Sequence, residues 1–217
     1  MRARSWSNPK EYVAALERLN LGPNLAAFIG HSDMRAATMG LDRATRKNVP
    51  PSPAELARME SMLNEALDEG FVGMSSQQLL FDKLDGEVCR SRTLPSTYAT
   101  SRELRCLNAI LRRRNRILQS SPDIKNPLSV LSQLLTSLGI GRRLKTSLLS
   151  AADIKAIPPV IHVMEQLARA VNALGGDFRW QHLPVPFEVY ADGISLVIFE
   201  EFGSGAAGAA PPGRDRP

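Results

Sequence analysis

Residues 21–41, LGPNLAAFIGHSDMRAATMGL, set the pattern for the whole chain. A turn at Gly22-Pro23-Asn24 leads into a short apolar run from Leu25 to Ile29, which Gly30-His31 closes before polar residues take over. An apolar run this short between turn signals predicts a strand buried on both faces. In an α/β fold, side chains just past the carboxyl end of such a strand face the ligand site. That position makes His31 and Arg35 candidate catalytic residues.

The same unit recurs: a short strand, a polar strand end, then a capped helix. Asn8-Pro9 opens a helix over residues 9–19. Ser52-Pro53-Ala54-Glu55 is a capping box with proline in the first turn, and Leu56, Met59, Leu63, Ala66 and Leu67 give that helix one apolar face. Phe71–Ser76 reads as the second strand, with Ser75, Ser76 and Gln77 at its end. Residues 42–51 and 78–99 read as loop, the second long enough to belong to a site. Thr100-Ser101-Arg102-Glu103 is a second capping box, and Leu104, Leu107, Ile110 and Leu111 form the face behind it. Arg116–Gln119 is a third strand. Asn126-Pro127 caps a helix carrying Leu128, Leu131, Leu134, Leu135 and Leu138. Leu144–Leu149 is a fourth strand. Pro158-Pro159 starts a helix that buries Val163, Leu167, Ala170, Val171 and Leu174. Asp177–His182 is the fifth strand, and residues 194–199 fit a strand or a helix start equally well.

About five successive βα units with right-handed crossovers predict an α/β fold with a parallel sheet. It is either a five-stranded doubly wound sheet or an incomplete (β/α) TIM-type barrel, since a closed eight-stranded barrel takes about 250 residues. The folded domain is expected over residues 1–202. The Gly/Ala/Pro-rich tail 203–217 has nothing to bury and reads as disordered. Open sheet edges predict self-association.

Composition removes several classes. No apolar run reaches the roughly 18 residues of a membrane span, and the basic start Met1–Ser5 lacks the apolar core of a secretory signal. Two cysteines, Cys89 and Cys106, do not make a disulfide framework, so a cytoplasmic setting is expected. The net charge of +5 invites a nucleic-acid reading. Its densest cluster, Arg112-Arg113-Arg114 with Arg116, instead sits at a helix end without stacking aromatics. Cations there complement the helix dipole at roughly 0.3–1 kcal/mol each, so no nucleic-acid partner is expected.

There is no G-x-x-x-x-G-K and no G-x-G-x-x-G after a strand, hence no phosphate-binding loop. Gly73-Met74-Ser75-Ser76-Gln77 lacks the last glycine of a nucleophile elbow, which leaves Ser75 a weak nucleophile. The three histidines, His31, His162 and His182, form no His-x-His and no H-E-x-x-H, so the metal ligands are unknown. His31 and His182 lie at strand exits where side chains converge; each has a structural role as its alternative. The substrate-binding candidates are Ser75, Ser76, Gln77 and Lys145.

The segment from Asn24 to Gly40 resembles the N-acyl-D-amino-acid deacylase (D-aminoacylase) family of the amidohydrolase superfamily, with its N-x-x-x-x-x-G-H-x-x-x-R-x-x-x-M-G pattern. Pro51-Ser52-Pro53-Ala54-Glu55-Leu56, Gly73-Met74-Ser75 and Tyr98-Ala99 follow in the family's order. The likeness is strongest to about residue 110 and looser to about 202. It implies a (β/α) barrel enzyme that hydrolyses the amide C–N bond of N-acyl-D-amino acids, with zinc activating water. The family's His-x-His ligands and general-base aspartate have no counterparts here, and Arg116–Ser120 stands where the family has a metal-binding histidine. The resemblance therefore implies an internal fragment with an incomplete site. The other reading is a non-catalytic five-stranded α/β binding or interaction protein.

Overall fold

The computed structural model describes residues 6–79, 82–84, 88–121, 127–139, 142–149 and 160–181. The elements run α1 (Pro9–Glu17), β1 (Phe28–Gly30), α2 (His31–Met39), α3 (Leu41–Ala44), α4 (Pro53–Asp68) and β2 (Gly73–Gln77). A 3-10 turn at Pro95–Tyr98 precedes α5 (Ser101–Arg113) and β3 (Ile117–Ser121). Then come α6 (Pro127–Ser137), β4 (Lys145–Leu148), α7 (Val160–Ala173) and β5 (Asp177–Trp180).

Helix starts follow their caps. Ser52 Oγ accepts from the Glu55 amide at 3.2 Å, and the Glu55 carboxylate accepts from the Ser52 amide at 2.7 Å. Both halves of that capping box form. At α5 only one half does: Thr100 Oγ1 accepts from the Glu103 amide at 3.2 Å, whereas the Glu103 side chain turns inward. The expected second capping box is corrected to a simple N-cap, because the carboxylate is engaged elsewhere.

All four strand pairings are parallel and the strand order is β1-β2-β3-β4-β5. A doubly wound sheet needs a reversal of order to place helices on both faces. None occurs here, and the helices share one face. Met74, Leu118, Leu148 and Phe178 lie on the same side of the pleat, where they meet the helices in two apolar clusters. The first joins Met34, Met59, Leu63, Leu67, Leu107, Ile110 and Leu111 to Met74 and Leu118. The second joins Leu134, Ala168 and Val171 to Leu148 and Phe178. The chain is an arc of a (β/α) barrel, with helices outside and no described element packed on the opposite sheet face, called here the open face.

Several local expectations change. β1 covers three residues, is half-buried, and leaves Leu25 at 56% exposure rather than inside a doubly covered strand. Among the described residues β1 pairs only with β2, so it is an edge. Leu41–Ala44 is helical within the expected loop. On α7, Ala168 and Val171 are buried, but Val163, Leu167 and Leu174 are exposed; on α6, Leu134 is buried while Leu131 and Leu135 are exposed. Both helices serve the far end of the sheet, where it covers a narrower stripe than their apolar residues span. His182, residues 194–199 and the tail 203–217 lie outside the described residues. No helix among the described residues is long and apolar enough to cross a membrane.

Candidate functional site

Because side chains alternate along a strand, the register sorts the strand residues into two faces. The open face carries, in one layer, Gly73, Ile117, Lys145 and Asp177, and in the next Gly30, Ser75, Gln119, Ser147 and Arg179. Gln77 and Ser121 continue it towards the carboxyl ends. This face is polar and mostly half-buried, unlike the helix side of the same strands. Gln181 Nε2 donates to Ser147 Oγ at 2.9 Å, which fixes that hydroxyl. Asp177 lies 3.5 Å from the Arg179 guanidinium and 3.9 Å from that of Arg143. The Gln77 amide donates to Asp82. Burial raises the Asp82 carboxyl above its ordinary value, and the Gln77 bond offsets part of the rise.

A second polar group lies on the helix side. His31 opens α2 directly after β1, and Arg35 follows one turn later on the same helix face. His31 Nε2 donates to Glu103 Oε1 at 2.7 Å, and Nδ1 is 2.9 Å from Ser76 Oγ. Arg35 Nη1 donates to the other Glu103 oxygen. The Ser76 hydroxyl partners Nδ1, with the direction of that bond set by the tautomer of the ring. His31, Arg35 and Glu103 have no exposed side-chain surface. Burial acts to raise the Glu103 carboxyl, but hydrogen bonds and charge from His31 and Arg35 outweigh it and hold it below its ordinary value. Beside this group, Ser32 Oγ donates to Ser96 Oγ at 2.8 Å, and Ser96 Oγ donates to the Gln77 carbonyl at 2.6 Å. The exits of β1 and β2 are thus tied to the 3-10 turn. Gly30 leaves room for the entry to α2: a Cβ there would lie 2.2 Å from Asp33 Oδ2.

The structure brings His31, Arg35 and Ser76 together, but in the buried sheet–helix layer and not at an accessible strand exit. Ser75, Gln77 and Lys145 fall on the opposite, open face. His182 lies outside the described residues. Sequence reading passed over Glu103, hidden behind its capping position, and Gln119, Ser147 and Arg179. The period-2 alternation of Gln119 with Leu118 and Ser120, and of Ser147 with Thr146 and Leu148, was the available signal. Part of the arginine cluster serves helix ends: Arg112 donates to the Thr136 carbonyl, and the Arg113 carbonyl accepts from Arg142 Nη1 at 2.8 Å. Arg114 pairs with Asp68.

Among the described residues no group of three or more His, Cys, Asp or Glu side chains could hold a metal ion. The described donors on the open face, hydroxyls, amides and cations with Asp177 and Asp82, do not fit zinc.

No protein-family model matches the chain. Uncharacterized proteins of Mycobacterium tuberculosis and Mycobacterium bovis are each 52% identical to it over 208 residues, covering 94% of this chain and 34% of their own length. The chain thus spans about a third of the curated relatives it matches. Among solved structures it is similar to a D-aminoacylase analysed for the role of its binuclear metal center. The TM-score is 0.64 at 17% identity, over 82% of this chain and 34% of that one. A D-aminoacylase mutant in complex with copper chloride gives the same figures. A D-aminoacylase structure described as defining a novel subset of amidohydrolases gives a TM-score of 0.62. The chain therefore has the fold of part of a D-aminoacylase.

Proposed function

We propose that this chain forms part of an amidohydrolase-type hydrolase that cleaves the amide C–N bond of N-acyl-D-amino acids, and that the open sheet face is its substrate side. The observation that carries this reading is the division of the sheet: one side is covered by helices around two apolar clusters, and the other presents Ser75, Gln77, Gln119, Ser147 and Lys145. Its likeness in fold to D-aminoacylases supports the choice of reaction. Ser75, Gln119 and Gln77 supply hydroxyl and amide groups that match a secondary amide, and Lys145 supplies a cation for the substrate carboxylate. In the solved relatives a metal centre belongs to the D-aminoacylase. No described cluster here fits one, so the roles left to these residues are binding and orientation.

His31 and Arg35 act in this reading as positioning residues. Through Glu103 and Ser76 they clamp the β1 exit to β2, and Ser75 and Gln77, on the other face of β2, inherit that placement.

The test is titration of the ¹⁵N-labelled full chain with the D and L forms of an N-acetyl amino acid, alongside an assay for released amine. The expected result is a D-selective shift of the Ser75, Gln119 and Ser147 amides. Lys145→Ala should weaken binding about tenfold or more, as befits a lost charge-assisted hydrogen bond. Shifts equal for both enantiomers, or none on the open face, overturn the reading.

A further inference from the structure

The helix layer is split. α5 packs on α4, and α6 packs on α7, but α5 and α6 stand apart except where Arg112 donates to the Thr136 carbonyl. A cleft of about 610 Å³ fills it, on the side of the sheet away from the open face. That volume lies within the range of small-molecule sites, roughly 300–1,000 Å³.

Its lining sets polar side chains among Leu104, Ala109 and Leu118, where a helix–sheet interface is ordinarily apolar throughout. Ser76 and Ser120 form the floor at 2% and 1% exposure, on the same pleat as Met74 and Leu118. Asn108 enters from the buried face of α5 at 8% exposure, between Leu107 and Leu111. Gln133 enters from α6, with Nε2 donating to Gln78 Oε1 at 2.9 Å and to Ser120 Oγ at 2.6 Å. Gln133 Oε1 and Asn108 Oδ1 are both buried acceptors with no hydrogen-bond donor. Native interiors rarely leave such acceptors unmet, and two lining one cleft ask for a ligand that donates. Arg105 and Arg112 also line the cleft, and none of its described lining residues is acidic.

We propose that the α5–α6 cleft binds a small carboxylic acid that also carries hydroxyl or ammonium donors, such as a hydroxy acid or a free amino acid. The donors meet Asn108 Oδ1 and Gln133 Oε1, and the carboxylate meets Arg105. Ser76 Oγ connects the site to His31 and, through it, to Glu103 and Arg35. The proposal does not rest on the hydrolase reading, because the cleft and the open face lie on opposite sides of the sheet.

Calorimetric titration of the full chain with glycerate, acetate and glycerol tests it. Glycerate carries both features, acetate only the carboxylate and glycerol only the donors. Glycerate should bind at least about tenfold more tightly than either of the others, the effect of one added hydrogen bond to a charged group. Arg105→Ala should reduce glycerate to the level of glycerol. Asn108→Leu should weaken glycerate about tenfold while raising the thermal midpoint, since it removes an unmet buried acceptor. Gln133→Met, at a half-buried position, removes the other acceptor and serves if Asn108→Leu does not fold. A Kd for glycerate weaker than ~10 mM, equal affinity for all three compounds, or unchanged affinity in Gln133→Met overturns the proposal.

Discussion

Glu103→Gln is the sharpest probe of the buried cluster. Both carboxylate oxygens are engaged, one by His31 and one by Arg35, and none of the three side chains reaches solvent. Glutamine keeps the volume and removes the charge. Arg35 then becomes a buried cation without a counter-charge, and its Nε and Nη2 already lack partners. Breaking a buried pair from one side costs about 3–5 kcal/mol, because the surviving charge stays desolvated. Total stability of a domain is roughly 5–15 kcal/mol, so the loss should be plain in urea unfolding followed by tryptophan fluorescence. The midpoint should fall with the slope unchanged. The double variant Arg35→Met/Glu103→Leu removes charge at both ends and should recover much of the loss. Acid adds an independent check. The Glu103 carboxyl is held below its ordinary value of 4.5. Its contribution is therefore complete above that value and fades as pH falls through the lower, folded one. Glu103→Gln should flatten that part of the stability–pH curve. A cost under ~1 kcal/mol, or a double variant no better than the single one, refutes the reasoning.

Two other substitutions test the scaffold. Gly73→Ala should destabilise by about 1–3 kcal/mol or more, seen in a thermal melt, because its Cβ would lie 1.8 Å from the Ile117 carbonyl oxygen. Ser52→Ala should cost about 1 kcal/mol by the same measurement, through loss of the α4 cap; no change would mean the cap contributes nothing there.

Helix starts were legible because capping is local: Asn8, Ser52 and Thr100 each stand within three residues of the amide they serve. Strands β2 to β5 were legible as short runs between turn signals, to within about two residues at each end. Facing was not. Ser75 and Ser76 are adjacent polar residues at one strand end, and only the pairing register sends the first to the open face and the second to His31. Glu103 reads as a capping residue because nothing local shows the histidine and arginine about seventy positions earlier that claim it. The exposed leucines of α6 and the exposed Val163 and Leu167 of α7 have helical spacing, but periodicity cannot say how wide a stripe the sheet will cover. The choice between the two sheet types turned on strand order, a long-range property that no window of sequence contains.

The break between the two apolar clusters bears on how the molecule breathes. Among the described residues the larger parcel holds ten buried side chains and the smaller one five. The β3–β4 ladder, the Gln133 bonds to Gln78 and Ser120, Leu144 and a few arginine-to-carbonyl bonds stitch them together, with no apolar cluster spanning the two. The Leu148–Phe178 end can therefore come apart while the Met74–Leu118 end stays shut, as a separate cooperative unit. Amide protons of β4 and β5 would then trade with deuterium well before those of β2, in two kinetic classes that divide at the seam.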